Sequence, residues 1–181
     1  VPRICFINKF DRTGAEFDRV VEMIRERLYA NPVPVQLPYG EGDTFEGIVD
    51  LFTMELVTYG DDLGTQIERH PIPDNLLEQA QEARAQMVET IVENDDYLME
   101  KFLMEEDISD EELRAALRDA TIHNKVHPVL VGSALKNKGV QMLLDAVVDI
   151  LPSPLDVPAV TGIHPKTGEE VERHPTDDEP L

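Results

Sequence analysis

The sequence predicts an α/β fold interrupted by an α+β insertion, on three observations. Two short apolar runs, Ile4-Cys5-Phe6-Ile7 and Pro128-Val129-Leu130-Val131, have the continuous hydrophobicity of strands buried on both faces. Each run ends in a polar loop that leads into a helical pattern. Between them the grammar changes twice, first to prolines, glycines and short apolar runs, then to amphipathic helix. A length of 181 residues suits one ordinary domain or a domain with a satellite, and 41% hydrophobic residues can supply a core.

Taken in order, Ile4 to Ile7 is the first strand and Asn8-Lys9-Phe10-Asp11 its loop. Thr13 stands three residues before Glu16, the spacing of a capping box. Phe17, Val20, Val21, Ile24 and Leu28 then recur at helical spacing until Ala30-Asn31-Pro32. Pro32, Pro34 and Pro38 exclude a helix. Ile48, Val49, Leu51, Met54, Leu56, Val57 and Ile67 predict two to four short antiparallel strands over 44–70, which Pro71 and Pro73 close. Leu76, Leu77, Ala80, Ala83, Met87, Val88 and Ile91 stripe one helix, and Tyr97, Leu98, Phe102 and Leu103 a shorter one. Ser109 with Glu112 is a second capping-box spacing, ahead of Leu113, Ala116, Leu117 and Ala120. After the second buried strand, Gly132-Ser133-Ala134-Leu135-Lys136 forms a loop. Asn137 precedes a helix through Val140, Leu143, Leu144, Val147, Val148 and Leu151, stopped by Pro152-Ser153-Pro154. The expected organisation is 1–31 (strand, loop, helix), 32–125 (inserted α+β subdomain) and 126–154 (strand, second loop, helix). Residues 155–181 are expected to be a linker and the start of a further β domain, with a turn at Lys166-Thr167-Gly168. Two parallel strands make an incomplete sheet, and the opening Val1-Pro2 without methionine fits a piece of something longer.

Charge narrows the partners. Sixteen Lys and Arg against thirty-seven Asp and Glu give a net charge of -21, a field that repels nucleic-acid backbones and argues against DNA binding. Eleven acidic residues lie from Glu89 to Glu112 with Lys101 as the lone base, a solvated face or a surface for a basic partner. The single cysteine, Cys5, builds no disulfide framework and suits a reducing, cytoplasmic setting. No apolar run reaches the roughly 18–20 residues of a membrane span.

In an open α/β sheet the ligand lies beyond the carboxyl ends of the strands, where both polar loops fall. Their chemistry suits guanine. The Asp11 carboxylate can accept from the ring N1–H and the exocyclic amine, a pair of donors that adenine does not present. Asn8 can donate toward N7 or tie the loops together, and amides around Ser133 and Ala134 can donate to O6. The methylene stems of Lys9 and Lys136 can cover the faces of the base. Asn-Lys-x-Asp alone is a weak signal, equally a turn with a solvated lysine. Two such loops, each ending a buried strand, are a stronger one.

The chain resembles bacterial translation elongation factor G, a family of P-loop GTPases. The likeness rests on Pro2-Arg3-Ile4 through Asn8-Lys9-Phe10-Asp11-Arg12-Thr13-Gly14-Ala15, and on Asn31-Pro32-Val33-Pro34-Val35-Gln36-Leu37-Pro38. It continues through Phe45-Glu46-Gly47-Ile48-Val49-Asp50-Leu51, Gly132-Ser133-Ala134, Lys136-Asn137-Lys138-Gly139-Val140-Gln141 and Leu151-Pro152-Ser153-Pro154. The resemblance implies that Asn8, Lys9 and Asp11 form the guanine-specificity loop and Ser133, Ala134 and Leu135 the second base loop, with Lys136 stacking. It implies GTP or GDP with magnesium as ligands of the parent protein, and the ribosome and its stalk proteins as partners of the insertion. Phe10 and Leu135 are mild departures, since relatives carry a smaller apolar residue and Phe there.

No Gly-x-x-x-x-Gly-Lys-Ser/Thr run occurs. The chain is therefore expected to be the C-terminal part of a G domain, completed by a missing N-terminal part. It should supply guanine recognition and a ribosome-facing insertion to a translocase but be inactive alone, with no catalytic residue and no cofactor requirement of its own. His70, His123, His127, His164 and His174 are expected to be surface or capping residues. His123 and His127 have ligand-like spacing, but Pro128 follows and no carboxylates surround them, so no metal site is expected. Alternatives are a protein-interaction module built on the acidic insertion, or a related ribosome-protection or release-factor GTPase.

Overall fold

The computed structural model describes residues 1–156 and 159–175. In chain order its elements begin β1 (Cys5–Ile7), α1 (Phe17–Leu28), β2 (Pro32–Pro34), β3 (Gln36–Tyr39), β4 (Gly47–Asp50), β5 (Glu55–Tyr59) and β6 (Ile67–Pro71). The rest are α2 (Asp74–Val92), α3 (Asp96–Leu103), α4 (Asp110–Ile122), β7 (His127–Val131), α5 (Val140–Ile150), β8 (Val160–Ile163) and β9 (Glu170–Arg173). Val1–Leu151 forms one compact unit and Pro152–Leu181 a second.

In the first unit β7 is the centre of a three-stranded parallel sheet of order β1-β7-β2, and all five of its residues are buried. The sequence pattern shows only two parallel strands here; the third is Pro32–Pro34, at the head of the stretch read as an insertion. Two prolines fit because β2 is an edge. The His127 N–H donates to the Asn31 carbonyl at 2.8 Å and the Val35 N–H to Val129 at 3.1 Å, so the odd-numbered residues face β7. Pro32 and Pro34 point their missing N–H groups outward. Pro128 is tolerated in the central strand because it lies one register position before β1 pairing begins at Cys5↔Val129.

A four-stranded antiparallel meander, β3-β4-β5-β6, follows β2 directly. The two sheets are joined at Val35, whose N–H serves β7 while its carbonyl accepts from Leu51 at 3.1 Å. Gln36 adds a second tie, accepting from the Val131 N–H at 3.2 Å. Four strands with the predicted antiparallel sense thus cover 36–71. Inner β4 is wholly buried, whereas β6 is an exposed edge carrying Glu68, Arg69 and His70.

Helices α2 and α4 bury most of the stripes that their sequences show, whereas α3 buries only Leu98 of its stripe, and α5 turns Ala146 and Ile150 inward and leaves Leu144, Val147 and Val148 exposed. Met87 and Ile91 of α2, Leu113 and Leu117 of α4, and Ile48, Leu51, Val33 and Val129 of the strands belong to one continuous core. Each such large side chain contributes roughly 1.5–3 kcal/mol by leaving water. The capping box at Ser109 forms: the Glu112 N–H donates to Ser109 Oγ at 3.2 Å and the Ser109 N–H to the Glu112 carboxylate at 2.9 Å. The one expected at Thr13 does not. Helix α1 starts at Phe17 with Glu16 as N-cap and no side-chain cap, so the pattern falls outside the helix.

Part of the acidic run serves the fold. Lys101 Nζ donates to both Glu112 oxygens at 2.8 and 3.0 Å, Arg84 pairs with Asp110 at 2.9 Å, and Asp95 caps α3 through the Leu98 N–H at 3.0 Å. His127 departs from expectation, being 5% exposed inside the sheet. Burial, and next the Arg3 charge, push its imidazole pKa down, toward the neutral form. The second unit, described by itself, holds the antiparallel hairpin β8–β9, closed by the Gly168 N–H donating to the His164 carbonyl at 2.9 Å. The parts of the expected 155–181 segment at 157, 158 and 176–181 lie outside the described residues.

Candidate functional site

Strands β1 and β7 are neighbours and parallel, so their carboxyl ends deliver residues 8–11 and 132–138 to the same edge of the sheet. All seven residues singled out from the sequence lie in these two loops, and direct bonds join the loops. The Ala134 N–H donates to Asn8 Oδ1 at 3.0 Å, and Ser133 Oγ donates to Asp11 Oδ1 at 2.6 Å. Asn8 Oδ1 also accepts from the Lys9 N–H at 2.7 Å. Asn8 therefore ties the loops together through its carbonyl oxygen, one of the two roles its amide allowed.

The first loop has an apolar anchor. Phe10 is 3% exposed and meets Phe17 and Phe45 edge-on, with ring centroids at 6.5 and 5.5 Å. Its N–H donates to the Gly132 carbonyl at 3.1 Å and its carbonyl accepts from Gly42 at 3.0 Å. Lys9 beside it takes a left-handed φ of 65° and is exposed. With Phe10 turned inward, Asn8, Lys9 and Asp11 remain at the surface or half-buried. The bulkier residue at this position is accommodated by two aromatic neighbours.

The second loop is closed on itself. Ser133 and Lys138 exchange backbone bonds, Ser133 N–H to Lys138 at 2.9 Å and the reverse at 3.0 Å. The buried Ser133 Oγ also accepts from the Lys136 N–H at 3.2 Å. Gly132 is required where the strand enters the loop, because a Cβ there would lie 2.4 Å from the Lys138 carbonyl oxygen and 2.8 Å from the Phe6 ring. Leu135 is 80% exposed. The Ser133 and Ala134 amides, expected to face a base oxygen, both donate within the protein. Among the described residues the Leu135 N–H meets no protein acceptor.

Asp11 is the charged centre of the arrangement. The Ser133 hydroxyl, above all, holds its pKa below the ordinary 3.8, and the charges of Lys136 and Arg12 add to this. It is an anion at neutral pH, with one oxygen committed to Ser133. The carboxylate so fixed can accept paired donors from a flat ligand lying between the loops.

A third segment, which sequence reasoning did not connect to the site, touches the second loop. Between β5 and β6 the chain turns at 60–66, and from there and from Tyr59 three bonds reach residues 137–141. The Gly139 N–H donates to the Tyr59 hydroxyl at 2.8 Å, Asn137 Nδ2 to the Asp62 carbonyl at 2.9 Å, and Gln141 Nε2 to the Gly64 carbonyl at 2.6 Å. A cleft of about 340 Å³ lies between Tyr59, Asp61 and Asp62 on one side and Leu135, Lys136 and Lys138 on the other.

Adjacent parallel strands whose joined polar loops end on a fixed carboxylate define an α/β protein with its ligand site at the strand carboxyl ends. The chain belongs to the elongation factor Tu GTP-binding domain family, whose sequence model matches residues 1–153. A solved crystal structure of a protein from Thermus thermophilus is similar over 95% of this chain and 26% of its own, at 27% identity and a TM-score of 0.76. The chain thus spans about a quarter of the length of that protein. No helix among the described residues is long and apolar enough to cross a membrane.

The family match corrects the sequence reading on four points. It runs from residue 1 to 153, with 32–125 inside its span, so the chain is assigned as a GTP-binding domain and not as the C-terminal remnant of an elongation factor G domain. The incomplete, interrupted sheet gives way to a family domain in which parallel and antiparallel sheets share one core. The function of a fragment limited to guanine recognition and a ribosome-facing insertion is withdrawn with it. So is the expectation that the chain is inactive for want of a P-loop and switches. That expectation leaned on a missing motif, and membership of a GTP-binding family over 1–153 outweighs it.

Proposed function

We propose that this chain is the guanine-nucleotide-binding domain of a translational GTPase and that its two loops read the base. Asp11 accepts from N1–H and the exocyclic amine. Asn8 fixes the spacing of the loops, and the Leu135 N–H, the loop donor left without a protein acceptor, serves O6. The stems of Lys9 and Lys136 cover the two faces of the base, with Ser133 and Ala134 holding the partners in place. The observation that carries this reading is the Asp11 carboxylate, held ionised by the Ser133 hydroxyl at 2.6 Å at the strand carboxyl ends of a chain that belongs to a GTP-binding domain family. Adenine would leave the acceptors of Asp11 unpaired, which is costly away from water.

GTP and GDP are the ligands this reading implies, in a cytoplasmic protein. The family's magnesium finds no set of three His, Cys, Asp or Glu side chains among the described residues. By charge, the acidic face over 89–112 suits a basic partner surface, which a ribosomal partner, stalk proteins included, would have to present there.

Titration of the amide proton–nitrogen NMR spectrum with GDP and with ADP tests the reading. The expected result is movement of the Asn8–Asp11 and Ser133–Leu135 peaks with GDP alone. Asp11→Asn should weaken GDP about 100-fold and abolish the preference, since charge-assisted hydrogen bonds contribute roughly 1.5–3 kcal/mol each. Equal responses to the two nucleotides, or an undiminished preference in Asp11→Asn, would exclude the assignment.

A further inference from the structure

The second loop closes on itself through Ser133 and Lys138, and Lys138 Nζ donates to the Phe45 carbonyl at 2.9 Å, but these bonds do not hold its two left-handed residues. It has no apolar anchor, since Ala134, Leu135 and Lys136 are exposed. The left-handed residues are Asn137 at φ 52° and Gly139 at φ 83°, on either side of Lys138. A non-glycine residue in that region is disfavoured unless its surroundings hold it there. Both residues are held by the segment 59–66. Tyr59 takes the Gly139 N–H and the Asp62 carbonyl takes the Asn137 side chain, while the Gly64 carbonyl takes Gln141 at the start of α5.

The segment is built to be stiff. Asp61 Oδ1 accepts from the Thr65 N–H at 2.8 Å and the Gln66 N–H at 3.0 Å, its other oxygen takes the Thr65 hydroxyl, and the Gly60 N–H closes onto Gln66 at 2.8 Å. Gly64 has φ +68°, and a Cβ there would stand 2.2 Å from the Asn137 carbonyl oxygen, so the backbones approach as closely as glycine permits. Tyr59 is half-buried, which orients its hydroxyl; burial pushes its pKa up and it remains a neutral phenol. From Asn137 and Gly139 the path is short: Lys138 between them pairs with Ser133, and Ser133 Oγ holds Asp11.

We propose that the 59–66 hairpin is a positioning element for the base loop, with Tyr59 its positioning side chain: by fixing Asn137 and Gly139 it keeps Ser133 on the Asp11 carboxylate and so tightens guanine-nucleotide binding. Tyr59 does not touch the base and acts through Gly139. The effect on affinity rests on the guanine reading; the hold on Ser133 does not.

Three readouts on the whole chain test it: GDP affinity by NMR titration, the acid titration midpoint of the Asp11 carboxyl carbon, and the melting temperature. Tyr59→Phe keeps the ring and removes the hydroxyl. It should weaken GDP about 5- to 10-fold, the equivalent of one hydrogen bond. It should also move the Asp11 midpoint upward toward the ordinary 3.8, with little change in melting temperature. Gly64→Ala should weaken GDP and raise the Asp11 midpoint more strongly, with a lower melting temperature as well, because its Cβ would meet the Asn137 carbonyl oxygen. Gly168→Ala, equally left-handed at φ +74° but facing open space, should leave GDP affinity and the Asp11 midpoint unchanged. An Asp11 midpoint unmoved in both Tyr59→Phe and Gly64→Ala overturns the positioning role, whatever the affinities do. A wild-type chain that cannot tell GDP from ADP overturns the guanine reading instead, and the midpoint still decides whether the hairpin holds Ser133.

Discussion

Loops 8–11 and 132–138 lie side by side and share three hydrogen bonds, yet they are secured by opposite means. The first is nailed down by one apolar side chain: Phe10 sits in the core between Phe17 and Phe45. The second exposes Leu135 and depends on polar bonds to Asn8 and to a hairpin about 80 residues earlier in the chain. The difference teaches that two halves of one site can differ in what breaks them. Loss of the apolar anchor is felt by the whole fold, whereas loss of the polar ties should be felt chiefly by the site.

The sharpest way to break that comparison is Phe10→Ala. Truncating a buried phenylalanine removes its transfer free energy and leaves a cavity, for about 3–5 kcal/mol of stability. Urea unfolding of the chain should show that loss as a lower midpoint at an unchanged slope. A loss below about 1 kcal/mol would mean that the loop is held by its backbone bonds to Gly132 and Gly42 and not by the ring.

Ser133→Ala comes next and probes the polar side. The hydroxyl donates to Asp11 and accepts from Lys136, and its loss leaves the Lys136 N–H without that acceptor. A hydrogen bond to a charged group is worth roughly 1.5–3 kcal/mol when buried; Asp11 is partly exposed, so about 1 kcal/mol is expected. The pH dependence has a definite sign. Because Asp11 titrates below 3.8, the tie is fully present above that value and is lost as pH falls through the lower folded pKa. In Ser133→Ala the acid limb of nucleotide binding should move to higher pH. An unmoved limb would remove Ser133 as the cause.

The same contrast explains what can be read in advance. Both strands, both loops, the α2 and α4 stripes and the Ser109 capping box are local patterns, carried by residues a few positions apart, and the structure shows each of them. Strand β2 is hidden because proline is excluded from strands except where its missing N–H faces outward, and which way Pro32 and Pro34 face is decided by β7, almost a hundred residues later. Thr13 has the spacing of a cap without a helix beginning there, for the helix starts where Phe17 can be buried. Tyr59 carries no signal at all, since its partner is a backbone N–H that only the fold brings near. The chain's standing in its family is obscured for a related reason. A missing motif is conspicuous at one place, whereas the likeness that outweighs it is spread over 1–153.

The smallest expected effect completes the comparison. Leu135 is an apolar residue in the middle of the second loop, and by sequence it looks like the counterpart of Phe10. At 80% exposure it has almost nothing to lose from truncation, so Leu135→Ala should change stability by less than about 0.5 kcal/mol. Its N–H survives the substitution, so the proposed contact to O6 survives with it, and GDP affinity should fall by no more than about 2-fold unless the side chain itself covers the base. Equilibrium unfolding and a GDP titration on the same sample separate the two possibilities. A large stability loss would show that Leu135 is an anchor after all and that the two loops are built alike. A loss of affinity at unchanged stability would make Leu135 a base contact and extend the polar loop's role from positioning to packing. No change in either leaves the loop as a framework of backbone donors held from outside, which is why the hairpin that holds it matters.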